Sequence, residues 1–493
     1  MPDYKTPGVY IEEISTLPAS VAAVATAIPA FIGHTEKAGK GDDPEELRGE
    51  PTRITSMLDY IEIFGGPNPE ELDITVTDTY TGTDGEEAEM IDREITAKLP
   101  DTISNYKMYY ALQMFFNNGG GPCFILSVND YDSDVVAGDD DTAPTNLLGG
   151  LKKLSKYDEP TLIVFPDQMG IVAYKKVYEA ALGQCRTLRD RFVIMDVKEV
   201  TNDPVADAGT FRKDGIGTGN LKYGAVYYPY LKTSLNYGYN DQSNDEPTSL
   251  SITHRKEYVG SGTPSGPAGV PGETTPFLYD LSSEGPNLYR SITAELSKLR
   301  VDLAPSSAIA GIYARVDRQR GVWKAPANVD VRSVVGPTLK VSHSQQETLN
   351  VDAGSGKSIN AIRTFTGKGT LVWGARTLAG NDNEWRYIPV RRLYIFVEES
   401  VKKATEFVVF EPNTANTWLR VKSMIENFLS KLWRDGALAG AKPEEAFFVR
   451  VGLGQTMNAI DILEGRMNIE IGLAAVRPAE FIILKFSHKL QES

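Results

Sequence analysis

The chain has 493 residues, of which 41% are hydrophobic and 24% are charged, so it can bury a large core and is not globally disordered. Its formal net charge of −15 has the wrong sign for a protein that coats nucleic acid. Two cysteines and four scattered histidines are too few to indicate a disulfide framework or a structural zinc site.

The N-terminal segment is predicted to be an extended arm that leads into a buried strand. In residues 7–14, PGVYIEEI, apolar and polar side chains alternate, and no local partner strand is apparent. The apolar run at residues 21–33 is too short to span a membrane, and residues 1–20 lack the positive charge of a signal peptide. We therefore expect the chain to fold and stay in the cytoplasm where it is made, unless an assembled particle is later released.

An acidic segment follows. Residues 36–101 contain 19 acidic and 6 basic side chains, which is nearly the whole charge imbalance of the protein. The simplest interpretation is a solvated outer face that keeps a large body soluble. The run DYDSD at residues 130–134 resembles the start of a calcium loop, but Val135 stands where that loop requires glycine. We expect no metal site here.

The middle of the chain alternates between apolar strands and amphipathic helices, which is typical of a mainly parallel sheet covered on both faces. The predicted strands are residues 28–33, 123–128, 161–167, 191–197 and 224–231, and the predicted helices are residues 54–64, 106–116, 147–157 and 172–189. Residues 233–286, which are rich in Asn, Ser, Gly and Pro, are predicted to be a long surface excursion rather than a domain.

The C-terminal third contains the clearest helix, residues 414–434. Its apolar residues recur at helical spacing, and Gly436 follows its end. Another face has a basic bias from Arg420, Lys422, Lys431 and Arg434. Other predicted elements are a helix at residues 393–404 and strands at residues 369–373, 386–388, 447–452, 467–473 and 481–486.

No pattern amounts to a catalytic constellation. GSGKS at residues 354–358 resembles the end of a phosphate-binding loop, but Val351 stands where the first glycine of that loop would be. Cys185 lies on the apolar stripe of its predicted helix, which favours a core position over a nucleophile. We predict no catalytic, cofactor-binding or metal-binding residue.

The two terminal strands leave two possibilities open. Each strand either completes a sheet of this chain or pairs with an edge strand of another subunit, where unpaired backbone groups accept it. The residue pattern alone favours neither.

Seven segments stand in the order found in one known family: PGVYIEEI, FFNNGGGPCFI, AGIYARVDRQRGVWKAPAN, NAIRTFTGKGTLVWGARTL, RYIPVRRLYIFVEES, FEPNTANTWLRVKSMIENFLSKLWRDGALAG and RPAEFIILKF. They resemble contractile tail sheath proteins of phages and of related bacterial injection machines. No recognisable motif marks the acidic segment or residues 233–286, and their roles stay open.

The resemblance implies a mixed α/β fold. A sheath core would be built from the N-terminal arm and the C-terminal third, with an outward-facing middle α/β domain of mainly parallel strands and loop insertions. The corresponding divisions are residues 1–33, residues 34–305 and residues 306–493, with a linking strand at residues 480–488.

The resemblance also implies that both terminal strands join sheets of neighbouring subunits, with hinges flanked by Pro18 and Pro478. The helix at residues 414–434 would face an inner tube through its basic residues, although a solvated face is the alternative. The linking strands would be formed by Val9, Tyr10 and Ile11 at the N-terminus and by Phe481, Ile482, Ile483, Leu484 and Phe486 at the C-terminus.

The expected function is therefore that of a structural subunit, not an enzyme, which polymerises around an inner tube and contracts to drive it through a target envelope. Its partners would be further copies of itself, the tube protein, and baseplate and terminal cap proteins, without cofactor, nucleic acid or membrane insertion. The alternatives are a soluble α/β enzyme or small-ligand-binding protein, or a non-contractile tube or baseplate component.

Overall fold

The computed structural model describes residues 21–41, 43–81, 89–138, 145–241, 249–259, 278 and 286–483. They fall into two compact units. The larger unit comprises Ala25–Ile395 and residues 478–483, and the smaller unit comprises residues 21–24 and Phe396–Arg477. These divisions differ from the predicted boundaries at residues 33 and 305. The assignment of a sheath core and outward domains stays a prediction.

Strands and helices alternate along the described residues. The strands are β1 Pro29–His34, β2 Thr52–Ile54, β3 Leu72–Thr81, β4 Met90–Lys98, β5 Cys123–Asn129, β6 Leu162–Val164, β7 Phe192–Asp196, β8 Gly224–Tyr228, β9 Leu231–Asn236, β10 Leu250–Val259, β11 Arg300–Leu303, β12 Val329–Asp330, β13 Val334–Pro337, β14 Asn360–Phe365, β15 Gly369–Val372, β16 Phe447–Arg450 and β17 Glu470–Leu473. The α-helices are α1 Met57–Phe64, α2 Met108–Asn117, α3 Leu147–Leu154, α4 Ile171–Leu188, α5 Pro204–Thr210, α6 Pro286–Leu296, α7 Ser306–Arg320, α8 His343–Asn350, α9 Ile388–Thr405, α10 Ala415–Arg434, α11 Pro443–Ala446 and α12 Ala459–Leu463.

A nine-stranded sheet forms the centre of the larger unit, in the order β12-β15-β14-β8-β7-β6-β1-β5-β2. The strands from β14 to β5 are parallel to one another, whereas the outer strands pair antiparallel. Every residue of β1, β7 and β8 is buried. Continuous apolar strands of this kind need cover on both faces, so the predicted mainly parallel sheet is present.

Helix α7 approaches α2 closely in this core. At Gly311 of α7, an added Cβ would lie 2.4 Å from the carbonyl oxygen of Phe115 in α2. A larger residue would push the helices apart, so the glycine is needed for the close contact. Helix α7 ends at Gly321, whose φ of +88° is a conformation that glycine adopts without strain.

Two predicted strands differ in the structure. The run at residues 224–231 is divided into β8 and β9, which belong to different sheets, because Pro229 between them has no N–H to donate. Residues 386–388 do not form a strand; Tyr387 makes one isolated bridge to Arg376, and α9 begins at Ile388.

The predicted excursion at residues 233–286 contributes ordered structure, which corrects that prediction. Strand β10 pairs in parallel with β3 over ten residues, and β3 pairs antiparallel with β4. This three-stranded sheet has its own apolar cluster, to which Ile74, Val76 and Ile252 contribute. Strand β9 forms another sheet between β11 and β13.

The acidic segment is partly a solvated face, since most of β4 is exposed. Two of its carboxylates are nevertheless buried and paired. Asp78 accepts hydrogen bonds from Arg93 Nε at 2.5 Å and from His254 Nε2 at 2.7 Å, and Glu70 lies 3.5 Å from Lys107 Nζ.

The smaller unit is organised by α10. Its buried residues, among them Val421, Ile425 and Phe428, form the predicted apolar stripe, and Gly436 follows the helix with a φ of +85°. Strands β16 and β17 form a two-stranded antiparallel sheet beside it. Among the described residues of both units, no helix combines the length and the apolar character needed to cross a membrane.

Candidate assembly surfaces

The two-stranded sheet of the smaller unit offers an edge for strand addition. The Ala474 N–H donates to the Ala446 carbonyl at 2.8 Å, which fixes the alternation of hydrogen-bonded pairs along β16 and β17. The backbone N–H and C=O groups of Phe447 and Val449 therefore point away from β17. The Phe447 N–H donates to the Pro443 carbonyl, so the Phe447 carbonyl and both backbone groups of Val449 form the outer edge. Within the described residues this sheet has no third strand. The outer edge of β16 can accept a strand from another chain.

The exposed face of α10 is basic. Arg420, Lys431 and Arg434 are exposed, and their helical spacing places them on one stripe. Arg420 also lies 4.9 Å from the centre of the Phe407 ring. Between Arg420 and Arg434 the sequence of α10 places no carboxylate on this stripe, and the exposed Asp435 follows at its end.

The structure separates Lys422 from that stripe. It lies on a different side of α10, and its Nζ is 3.7 Å from a carboxylate oxygen of Glu426. Three of the four predicted tube-facing residues therefore share a surface, and Lys422 does not. The two-residue offset between Arg420 and Lys422, about 200° around a helix, is a sequence signal that could have separated them.

Exposed apolar side chains near α10 were not predicted. Phe410 is fully exposed and has a φ of +70°, which is unusual for a residue with a Cβ. Val409 before it, and Ile460 and Leu463 in α12, are also more than half exposed. Large apolar groups held in solvent on a well-packed unit indicate a contact surface for another molecule.

The root of the C-terminal arm is fixed by a cluster of polar side chains in the larger unit. The Glu480 carboxylate accepts hydrogen bonds from Arg376, Asn350 and Tyr387. Phe481, Ile482 and Ile483 follow it, are exposed and are not in a strand. Leu484 and Phe486, the other predicted linking residues, lie outside the described residues. No local pattern in the sequence indicates this cluster, because its donors lie far from Glu480 in the chain.

The predicted N-terminal strand, Val9, Tyr10 and Ile11, and the predicted hinge residue Pro18 also lie outside the described residues. The first described residues after them belong to the smaller unit. There the Val24 N–H donates to Ser400 Oγ at 3.3 Å.

The phosphate-loop-like segment and the two cysteines have structural rather than catalytic surroundings. The Lys357 amine of GSGKS is buried and donates to the carbonyls of Arg212 at 2.6 Å and Ile216 at 2.9 Å. Burial raises the pKa of the Cys123 and Cys185 thiols, so neither is an activated nucleophile. No group of metal-ligating side chains occurs among the described residues.

The carboxyl ends of the parallel strands, where α/β proteins commonly bind ligands, are occupied by internal contacts. Asp167 accepts hydrogen bonds from the backbone N–H groups of His34 at 2.7 Å and Lys107 at 2.9 Å. Asp196, the last residue of β7, accepts the Ser306 N–H at 2.8 Å. Burial raises the pKa of Asp196 to about 7.

The chain is similar to proteins of known family and structure. Residues 380–489 match the phage tail sheath C-terminal domain family. The helical sheath of the anti-feeding prophage, solved in its contracted state, is 33% identical, with a TM-score of 0.62 over 99% of this chain and 100% of that chain. The contracted sheath complex of PVC, an extracellular contractile injection system, is 29% identical, with a TM-score of 0.62 over 99% of each chain. The tail sheath protein of Enterobacteria phage T4 is 26% identical over 112 residues, which are 22% of this chain.

The matched segments cover between 16% and 35% of the length of the phage and prophage tail sheath proteins. The matches with the two solved sheaths cover nearly the whole of both chains and confirm the predicted mixed α/β fold. Because the similarity to the anti-feeding prophage sheath is 33% over the full length, this chain belongs to the family of contractile sheath proteins.

Proposed function

We propose that this protein is the subunit of a contractile sheath, which polymerises around an inner tube in an extended, metastable state and contracts to drive the tube through a target envelope. The full-length similarity to the sheath of the anti-feeding prophage carries this proposal. The particle would be assembled in the bacterial cytoplasm, and the subunit would also contact baseplate and terminal cap proteins.

Neighbouring subunits would be linked by exchanged strands. The outer edge of β16 presents the carbonyl of Phe447 and the backbone N–H and C=O groups of Val449, and an arm from another copy would add to this edge. Val9, Tyr10 and Ile11 would form one such arm, and residues 481–486 the other. Each backbone hydrogen bond contributes about 0.5–1.5 kcal/mol net, so a strand of five or six residues supplies several kcal/mol per link.

The basic stripe of α10 would face the inner tube. Arg420, Lys431 and Arg434 form a cationic stripe that suits an acidic partner. Lys422 provides a matched control, because it lies on the same helix but faces Glu426. Replacing Lys431 with Gln should weaken tube binding, whereas replacing Lys422 with Gln should leave it unchanged. Equal binding by both variants would contradict the assignment of this face.

Contraction would be a rigid-body rearrangement of subunits that stay linked by their exchanged strands. The energy would be the difference in packing between the extended and compact arrays, stored during assembly. No nucleotide is required by this mechanism.

The test is electron microscopy of assemblies formed by the purified protein with its tube. Striated hollow cylinders of two lengths are expected, one before and one after triggering. Deleting residues 1–14 should leave a folded subunit that forms no ordered sheath, while ordered wild-type-like cylinders from this truncation would refute the linkage. Lengthening the linker at residues 15–20 should keep particles extended, and unaltered contraction would count against its role.

A second candidate is a related component of the same kind of particle. Structures of the anti-feeding prophage baseplate match this chain with 32% identity in one case and 25% in another. Images would separate the two roles, since a baseplate component forms no long striated cylinder.

A further inference from the structure

Glu480 is the most fully bonded charged residue at the root of the C-terminal arm. Its carboxylate accepts from Arg376 Nε at 2.9 Å and from a terminal guanidinium nitrogen of the same residue at 2.7 Å. Asn350 Nδ2 donates to it at 2.8 Å and the Tyr387 hydroxyl at 3.1 Å. The donors come from the end of α8, the loop after β15 and the residue before α9, so three separate parts of the larger unit hold one carboxylate.

Arg376 is itself fixed to the nine-stranded sheet. Its backbone N–H donates to Asn360 Oδ1 at 2.8 Å, and Asn360 Nδ2 donates in return to the Arg376 carbonyl at 2.8 Å. The same Nδ2 lies 3.1 Å from the carbonyl of Val226 in β8. Glu480 is therefore joined to the central sheet through two buried residues with satisfied hydrogen bonds.

Glu480 also stays charged at neutral pH. Burial opposes its ionisation, but the hydrogen bonds from Arg376 and Asn350 outweigh burial and lower its pKa. Charge-assisted hydrogen bonds of this bidentate kind are the strongest that side chains make.

The chain becomes exposed immediately after Glu480. Phe481 is 69% exposed, and Ile482 and Ile483 are 80% exposed. Three consecutive large apolar residues in solvent need a binding partner. The residue before them, Glu480, is held by hydrogen bonds from three side chains.

We propose that Glu480 is the anchor of the C-terminal linking arm. It is a positioning residue that fixes where the arm leaves the subunit. Force applied to the arm by a neighbouring subunit is then transmitted through Glu480 to the central sheet of the larger unit. The pivot of the arm then lies after Glu480 rather than at Pro478. This inference rests on the proposed function, because it requires that residues from 481 onward pair with a neighbour.

A pair of insertions tests the position of the anchor. Gly-Ser-Gly inserted after Arg477 leaves the distance from Glu480 to the arm unchanged, so sheaths should form and contract as in the wild type. The same insertion after Glu480 lengthens the arm beyond its anchor, so the regular striation or the contraction should be lost. Equal behaviour of the two insertions, or the reverse pattern, would overturn the proposal.

Substitutions test the anchor itself. Glu480→Gln keeps the size of the side chain but removes its charge, and Glu159→Gln is the control, because its pair with Arg53 has both side chains 46% exposed. We expect Glu480→Gln to raise the fraction of subunits in which residue 480 has lost its hydrogen bonds roughly tenfold or more. The measurable results are faster hydrogen exchange after residue 480 and a lower yield of ordered sheath. The control should match the wild type in both measurements.

The outcomes separate an anchor from a purely structural contact. Glu480→Gln could lower the melting temperature of the isolated subunit and reduce the yield of ordered sheath only as much as it reduces the fraction of folded subunit. That result would refute the anchor role. If that variant fails to fold, Tyr387→Phe removes a single hydrogen bond from the same carboxylate and should show the same effect more weakly; wild-type exchange and assembly in it would refute the anchor. If the wild-type protein itself forms no sheath, the proposed function fails, and that result is distinct from the failure of the anchor.

Discussion

The stability of the larger unit should increase when the pH falls from 8 to 5, because of Asp196. This carboxyl group is buried at the end of β7, where its main contact is the Ser306 N–H at the start of α7. Burial disfavours its charged form and raises its pKa from 3.8 to about 7. Between these two values the folded state binds a proton that the unfolded state releases, so the stabilisation is present at the acidic end and is lost as the pH rises towards 7.

The magnitude follows from the shift. Each pH unit within that window is worth about 1.4 kcal/mol, since one pKa unit equals that free energy. Lowering the pH from 8 to 6 should therefore stabilise the folded state by roughly 1–2 kcal/mol, and lowering it to 5 by roughly 2–3 kcal/mol.

The Asp196→Asn variant isolates this effect. Asparagine retains a carbonyl oxygen for the Ser306 N–H but does not ionise, so its difference from the wild type should change with pH by the amounts above. Urea unfolding at pH 5, 6 and 8 measures the free energy of unfolding. Asp158→Asn, at an exposed position, should show no such change. Parallel pH dependences for the wild type and Asp196→Asn would refute the reasoning.

Two further predictions concern packing and paired charge. Asp78→Asn should weaken the sheet formed by β3, β4 and β10 by roughly 1–3 kcal/mol, because the buried carboxylate accepts hydrogen bonds from Arg93 and His254; hydrogen exchange of β10 measures this, and unchanged protection would contradict it. Gly311→Ala should lower the melting temperature, because the new Cβ would meet the Phe115 carbonyl, whereas Gly183→Ala, in α4 with open space around it, should raise stability by up to about 1 kcal/mol. Equal effects of the two alanines would show that contact with α2 does not decide the outcome.

Elements with a strong local signal were predictable from the sequence. The buried apolar stripe of α10 recurs every three or four residues over about three turns, and the core strands are continuous apolar runs, so local spacing alone identified them. The division of residues 224–231 into β8 and β9 depends on which partner strand each half pairs with. Pro229 in this run does indicate an interruption of the strand, because proline has no backbone N–H to donate.

Elements whose partners are distant in the chain were not predictable. Strand β10 exists because it pairs with β3, nearly 180 residues earlier, and its polar sequence gives no apolar alternation. The residues that donate to Glu480 lie 93 to 130 positions before it in the chain. Such contacts are decided by the topology of the fold, for which a single sequence carries no local pattern.

The proposed contacts rely on different interactions, and salt should separate them. The cations of the α10 face are exposed, so their attraction to a tube is screened as the Debye length falls from about 10 Å at 0.1 M salt to about 3 Å at 1 M. Strand addition at β16 depends on backbone hydrogen bonds and apolar burial, and the Glu480 pair is largely buried, so neither is screened to the same extent.

Raising the salt concentration on preformed particles should therefore release the tube while the sheath remains polymerised. Lys431→Gln should lower the salt concentration at which the tube is released, whereas Lys422→Gln should not. Sedimentation and electron microscopy over a salt series measure both events. If the tube and the sheath dissociate at the same salt concentration, or if release of the tube is insensitive to salt, the basic stripe of α10 does not hold the tube.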